Sequence, residues 1–407
     1  MLLRNSIVVA VTAMLYGSPV LGQVKSSAED SLQKGDVKKS STFIGGYGDA
    51  SYNRNFNLET ASLNLNRVVL FVGHKFNDKF SFFSELEVED AKIEGGEPGG
   101  EISLEQAYVK MNISKNAYIT AGLFIPRIGL LNENHLPGDF NGVERPAVEV
   151  LVIPATWREL GVSLYGHLNN LPLNYSIAVC NGLNAEGFEH GTGIREGRFE
   201  GREATANNFA VTGSLQYAIN AFRFQVSGYY GGSVGGSPRV ADSLELESGA
   251  FGTPVALAEA NIKFEKNGLG IKVLGTVVSI PDASDINRAY ASNTPEMEYG
   301  FYGEVSYNLL ESVAKWRERQ WRIFARYEML NLNSSIPSNG IEDGTLEQDH
   351  LIMGMSYSPI PNVVIKADIR LLNTGPVNEE LVINPAPNEP PYKEQNTFLN
   401  IGIGYSF

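Results

Sequence analysis

The charged side chains of this sequence fall into groups that suit the handling of ions rather than the making of bonds. Glu85, Glu87 and Glu89 occupy every second position of one extended segment, which puts three carboxylates on a single strand face. Glu133, Asp139, Glu144 and Glu149 share residues 126–157 with Arg127, His135 and Arg145. Farther along come Arg223, Lys263, Lys272, Arg322, Arg326, Lys366 and Arg370. Fixed charges of both signs lining a wet surface steer and sort ions by Coulomb attraction. Covalent chemistry has no comparable set. The histidines, His74, His135, His167, His190 and His350, lie far apart with no pair at metal-ligand spacing, and none stands in a motif with a serine and an acid. No GxxxxGK run is present to cradle a phosphate. The reading is therefore a non-enzyme with no catalytic, cofactor-binding or metal-ligating residues. Cys180 is the single cysteine, so an intrachain disulfide is impossible.

Groups so scattered in sequence need elements that bring them to one surface. Sixteen segments alternate apolar with polar or small residues, at about 42–53, 62–76, 79–91, 101–112, 117–125, 158–168, 172–180, 207–218, 222–232, 254–264, 269–280, 298–309, 319–330, 348–359, 363–373 and 396–407. Their connections alternate in length. Tight turns follow most even segments, as at Asn77-Asp78, Asn220-Ala221 and Lys266-Asn267-Gly268, and longer polar loops follow the odd ones. Short turns at one end and long loops at the other predict an all-β fold: a transmembrane antiparallel up-and-down β-barrel of 16 strands (alternative 18), with short periplasmic turns and long extracellular loops.

The faces agree with that architecture. Phe209, Val211, Leu215 and Tyr217 form an uncharged face opposite Thr212, Ser214 and Gln216, and Trp321, Ile323 and Tyr327 repeat the pattern. Tyr217, Phe222, Tyr307, Trp321, Tyr357, Tyr405 and Phe407 sit near strand ends, where an aromatic girdle is expected. The same phasing turns the charged groups named above inward, together with Arg67, Lys75, Glu159, Glu259, Glu298, Glu304, Glu328 and Asp368. Neither sign dominates, but acids gather on the third segment and on 126–157, while cations gather on segments nine to fifteen. A field across the interior is one reading, and mutual pairing of these charges is the other. The second and fourth segments resist phasing, because Arg67 and Glu105 interrupt their apolar positions.

Residues 1–22 carry Arg4, an apolar core and small residues before Gln23, and read as a signal peptide for export to the outer membrane of a Gram-negative bacterium. Residues 23–41 are polar and aperiodic, a flexible periplasmic lead-in. The whole sequence has 32 Lys+Arg and 46 Asp+Glu; without Arg4 it has 31 basic residues and a net charge of −15. That balance argues against nucleic acid as a partner, because phosphate binding needs clustered Lys and Arg. Residues 42–407 read as one domain. A barrel this wide leaves an aqueous lumen, so the expected function is passive diffusion of small hydrophilic solutes or ions, with anions such as phosphate among them. The alternative is a surface receptor or adhesin with a plugged barrel. Segment 126–157, the third loop, is too apolar for a solvated loop and is expected to fold inward as a pore constriction.

Five stretches carry a resemblance: GGYGDASYN (45–53), LNLNRVVLFVGHKFNDKFSFFSELEVEDA (63–91), LEQAYVKM (104–111), GVERPAVEVLVIPATWRELGVSLYG (142–166) and the closing strand ending at Phe407. Over nearly the whole mature length the chain resembles the bacterial phosphate-selective porin O and P family. That resemblance implies an outer-membrane pore, trimeric or monomeric, with an inward third loop. A final strand closing on Phe resembles the signal read by the barrel assembly machinery. Outer-membrane lipid, small solutes or ions and a possible homotrimer are then the partners, and nucleic acid is not one.

Overall fold

The computed structural model describes residues 40–89, 102–168, 170–316, 318–378 and 393–407. The signal-peptide reading of 1–22 and nearly all of the lead-in at 23–41 lie outside these residues. Alternation becomes sixteen strands: β1 (Ser41–Asn55), β2 (Thr60–Lys75), β3 (Phe80–Glu89), β4 (Ile102–Ser114), β5 (Ala117–Phe124), β6 (Glu159–Leu168), β7 (Leu173–Asn181), β8 (Phe209–Ile219), β9 (Phe222–Gly232), β10 (Pro254–Lys266), β11 (Leu269–Ser279), β12 (Met297–Asn308), β13 (Gln320–Ser335), β14 (Glu347–Ile360), β15 (Val363–Thr374) and β16 (Gln395–Ser406). Each pairs antiparallel with its chain neighbour, and β1 pairs with β16, from Tyr47 opposite Ser406 to Asn55 opposite Phe398. That last ladder removes both sheet edges. Among the described residues, no helix is long and apolar enough to cross a membrane.

Strand bounds match the sequence reading to within two residues except at β13, which continues to Ser335 rather than stopping at 330. Asn331, Asn333 and Ser334 end the apolar alternation, but the backbone goes on pairing with β12 through a register shift near Met297, and Glu296 N donates to Ser335 O at 2.8 Å. The tight turns use left-handed backbone where a two-residue hairpin needs it: Asn267 and Gly268 have φ of 51° and 79°.

The outer face is apolar along most strands. Val162, Ile177, Val179, Leu215, Val226, Ile323 and Ile369 are exposed there, while their inward neighbours Ser163, Thr212, Ser214 and Gln225 are buried. β2 and β4 have the same two faces, shifted by bulges that the sequence pattern hides. Asp49 pairs Arg67 while Ala50 pairs Leu65, so Asn66 is the extra residue in β2; Glu85 pairs Gln106 while Leu86 pairs Leu104, so Glu105 is the extra residue in β4. Two neighbouring polar residues thereby face inward in each strand, which breaks the period of two.

At the loop end the connections pack on one another. Leu183, Phe188 and Ile194 from the β7–β8 loop, Ala241 of the short helix α1 (Pro238–Leu244), Ile286 of α2 (Ala283–Tyr290) and Leu346 are buried in one apolar cluster with Val148, Val152 and Trp157 of the β5–β6 segment.

Candidate functional site

The β5–β6 segment holds the constriction residues read from sequence, and its contacts are with inward-facing side chains of the wall. From its middle, Asn141 Nδ2 donates to Glu304 Oε1 at 2.8 Å and Val143 N to Asp368 Oδ2 at 2.7 Å. Lys366 Nζ donates to the carbonyls of Phe140 and Gly142, each at 2.8 Å, with the ammonium 3.6 Å from the Phe140 ring centroid. Arg370 Nη1 reaches Glu144 at 2.6 Å, and Val148 N reaches Glu328 Oε2 at 3.1 Å. Two glycines make room for this approach. A Cβ on Gly300 would lie 2.6 Å from Val148, and one on Gly404 would lie 2.3 Å from Pro137.

A short π-helical turn, Val148–Val152, is fixed by Glu149, which is fully buried. Its carboxylate accepts from Leu130 N, Leu131 N and the Tyr302 hydroxyl, each at 2.7 Å. Burial still pushes this carboxyl above the usual range despite the three donors. Glu149 faces no passage in this conformation. Arg127 pairs with Glu133, which also accepts from Gln216 at 3.1 Å. Asp139 is exposed, and its carbonyl accepts from Lys272 at 3.1 Å.

The opposite contact of the segment is an ion network on β1 to β4. His135 Nε2 lies 3.7 Å from carboxylate oxygens of both Glu85 and Glu105. Burial alone would lower the imidazole, but the two carboxylates outweigh it and raise it to about 9. Glu105 accepts from Tyr47 at 3.1 Å and Thr156 at 2.6 Å, and Glu85 from Gln106 at 2.8 Å. Arg67 bridges Glu87 at 3.1 Å and Asp49 at 3.2 Å. Half-buried Arg145 donates to the His135 carbonyl at 3.5 Å, and desolvation followed by Arg67 lowers its guanidinium. Glu85, Glu105 and His135 place ligand-type atoms within 4.8 Å of one another. Their acceptors are taken by protein donors and their charge is offset by Arg67 and Arg145, so the arrangement has the chemistry of a neutralised network rather than of a cation cage.

Sequence reasoning named most of these groups, left Glu105 unphased because of its bulge, and missed Asp49, Tyr47 and Thr156. Tyr47 and Thr156 carry no charge to mark them. The remaining lining residues divide into two sets. Glu304, Arg326, Glu328, Lys366, Asp368 and Arg370 clamp the segment or one another: Arg326 joins Glu328 at 2.7 Å and Glu304 at 3.2 Å. Arg223, Lys263 and Lys272 stand directly opposite one another on β9, β10 and β11, partly exposed. Lys263 reaches Glu265 at 3.4 Å and Lys272 reaches Glu304 at 3.6 Å. Like charges placed opposite destabilise a sheet, so this row costs stability. Arg322 lies 4.0 Å from Glu265, and Glu89 is half-buried at the end of β3. Between segment and wall the gaps are small, about 20 Å³ beside Lys272 and Glu304 and about 10 Å³ beside Glu144 and Arg370.

A closed, antiparallel sixteen-stranded barrel with an apolar outer face defines the outer-membrane class of β-barrel. No family model matches the chain. An uncharacterized protein of Aquifex aeolicus (strain VF5) is 29% identical over 343 residues, covering 81% of this chain and 75% of that one. Among solved structures, the outer membrane channel DcaP of Acinetobacter baumannii is similar with a TM-score of 0.55 and 11% identity, over 91% of this chain and 98% of DcaP. The anion-selective porin from Comamonas acidovorans follows with 0.52 and 11%, over 91% and 100%. OmpT of Vibrio cholerae in its trimer form gives 0.53 and 10%, over 91% and 100%. At these identities the likeness is one of fold.

Proposed function

We propose that this chain is an outer-membrane porin that passes small hydrophilic solutes or ions through a lumen narrowed by the inward-folded segment 126–157. The observation that carries the reading is the clamp of that segment to Glu304, Glu328, Lys366, Asp368 and Arg370, which spends inward charges on holding a constriction. The row Arg223, Lys263 and Lys272 then puts positive charge on the β9 to β11 side, while the acids of β3 and β4 are offset by Arg67, Arg145 and His135. This polarity favours anions near β9 to β11 and supports the resemblance to the phosphate-selective porin O and P family. The cations form a row across strands rather than a ladder along the path, so the solute class proposed is small anions in general, phosphate among them. The long loops are assigned to the extracellular side and the turns to the periplasm, with β16 and Phe407 presented to the barrel assembly machinery. A homotrimer is part of the same proposal, supported by the trimer form of OmpT. No catalytic role is assigned. Planar-bilayer conductance of the purified, refolded protein tests the reading, and a silent protein defeats it.

One observation favours the second reading, a receptor or adhesin with a plugged barrel. The apolar cluster joins Leu183, Phe188, Ile194, Ala241, Ile286 and Leu346 to the inward segment, so the loops pack on it rather than standing apart. Bilayer silence together with ligand capture by intact cells supports that reading instead.

A further inference from the structure

The turn end of the barrel holds an open-mouthed chamber of about 870 Å³, a size that suits an organic ligand. Its wall is partly aromatic. Phe43, Phe71, Phe83 and Tyr108 point inward from β1 to β4 and form a run of rings: centroids are 6.1 Å apart for Phe43 and Phe71, 6.0 Å for Phe71 and Phe83, and 5.7 Å for Phe83 and Tyr108. Phe71, Phe83 and Tyr108 line the chamber. Next to them Tyr118 and Tyr165 stack at 5.0 Å, with the Lys110 ammonium 3.7 Å from the Tyr118 centroid and the Arg127 guanidinium 5.3 Å from that of Tyr165. Arg127 is already paired with Glu133. Lys110 is 5% exposed, lines the same chamber, and has no carboxylate within 4 Å among the described residues. An ammonium that, among the described residues, rests on a ring face without a carboxylate has capacity for an anionic oxygen.

We propose that this chamber binds small aromatic carboxylates, with the carboxylate on Lys110 and the ring against the Phe71–Phe83–Tyr108 wall. The proposal rests on the channel reading and names a solute class for it. A bare inorganic anion would gain nothing from the three aromatic rings of this wall, and a short aliphatic acid would gain little apolar burial. A sugar stacks on open ring faces, but the faces of Tyr118 and Tyr165 are occupied by each other and by Lys110 and Arg127.

The test uses the full-length protein refolded in detergent, titrated with benzoate, acetate and inorganic phosphate and read by calorimetry. Benzoate is expected to bind roughly tenfold tighter than acetate, the worth of one aromatic contact. Lys110→Gln is expected to weaken benzoate about tenfold, and Phe71→Leu, which keeps volume without the ring, to bring benzoate toward acetate. Heat-dependent gel mobility verifies that each variant is folded, and if one is not, the benzoate-to-acetate ratio of the unaltered protein decides. Equal affinities for benzoate and acetate, phosphate binding as tight as benzoate, or a folded Lys110→Gln protein with unchanged benzoate affinity overturns the proposal. KCl conductance of the same preparation keeps the two readings apart. A conducting protein that treats benzoate like acetate refutes this site alone, and a silent one that prefers benzoate refutes the channel alone.

Discussion

Arg370 and Glu144, separated by more than two hundred residues in the chain, meet at 2.6 Å between β15 and the β5–β6 segment. Glu144 is held from the other side by Asn53 Nδ2 at 2.5 Å, so one carboxylate ties the segment both to β15 and to β1. Such contacts tie the segment to the wall at two points.

Lys366 is the clamp whose loss is expected to matter most. Lys366→Met leaves the carbonyls of Phe140 and Gly142 buried without a donor, a cost of about 1–3 kcal/mol. Single-channel recordings should show larger or noisier conductance, and limited proteolysis should cut within 126–157. Recordings and cleavage identical to the unaltered protein would show that the clamp does not hold the segment.

Gly404→Val tests the same fit sterically. The added side chain meets Pro137 on the segment and Val364 on the neighbouring strand. The barrel is expected to form, because β16 keeps its ladders, while the segment is displaced and conductance rises. Gly300→Val should act likewise through Val148.

His135 gives the interior a pH dependence. Its folded value of about 9 stands above the unfolded value of about 6.5. The protonated imidazole therefore contributes stability that is fully present below pH ~6.5 and lost as pH rises through about 9, on the order of 3 kcal/mol for the single site. Urea midpoints of the refolded protein should fall between those pH values. In His135→Gln the fall should shrink; an equal fall in both proteins assigns it to other groups.

The strands were legible and their interior chemistry only partly so. Alternation located all sixteen segments, because lipid on one side and water on the other impose a strict period of two. β2 and β4 defeated phasing at Asn66 and Glu105, where the backbone carries an extra residue that no composition signal marks. Lys366, Arg326 and Asp368 read as water-facing charges, whereas in the structure they are buried against protein partners. Their partners Phe140, Glu304 and Val143 lie too far along the chain for local pattern to link them.

Arg223, Lys263 and Lys272 carry the selectivity prediction. Replacing all three by Gln removes the cationic row while sparing Arg326, whose reversal would break the clamp itself. At roughly 8 Å and an effective dielectric constant of 20, each lost charge changes the energy of a passing ion by about 2 kcal/mol. The reversal potential in a KCl gradient should move toward cation preference. An unmoved potential would assign these cations to pairing alone.

The two bulges have a further consequence for how such a wall can change over generations. Asn66 donates to Asp49 at 2.6 Å, and Glu105 accepts from Tyr47, yet Leu65 and Leu104 beside them stay in phase with the other lipid-facing side chains. A single inserted codon at either place adds one polar group to the interior and leaves the exterior as it was. The barrel can thus acquire or discard interior chemistry one residue at a time, and the membrane, which selects on the outer face, does not register the edit.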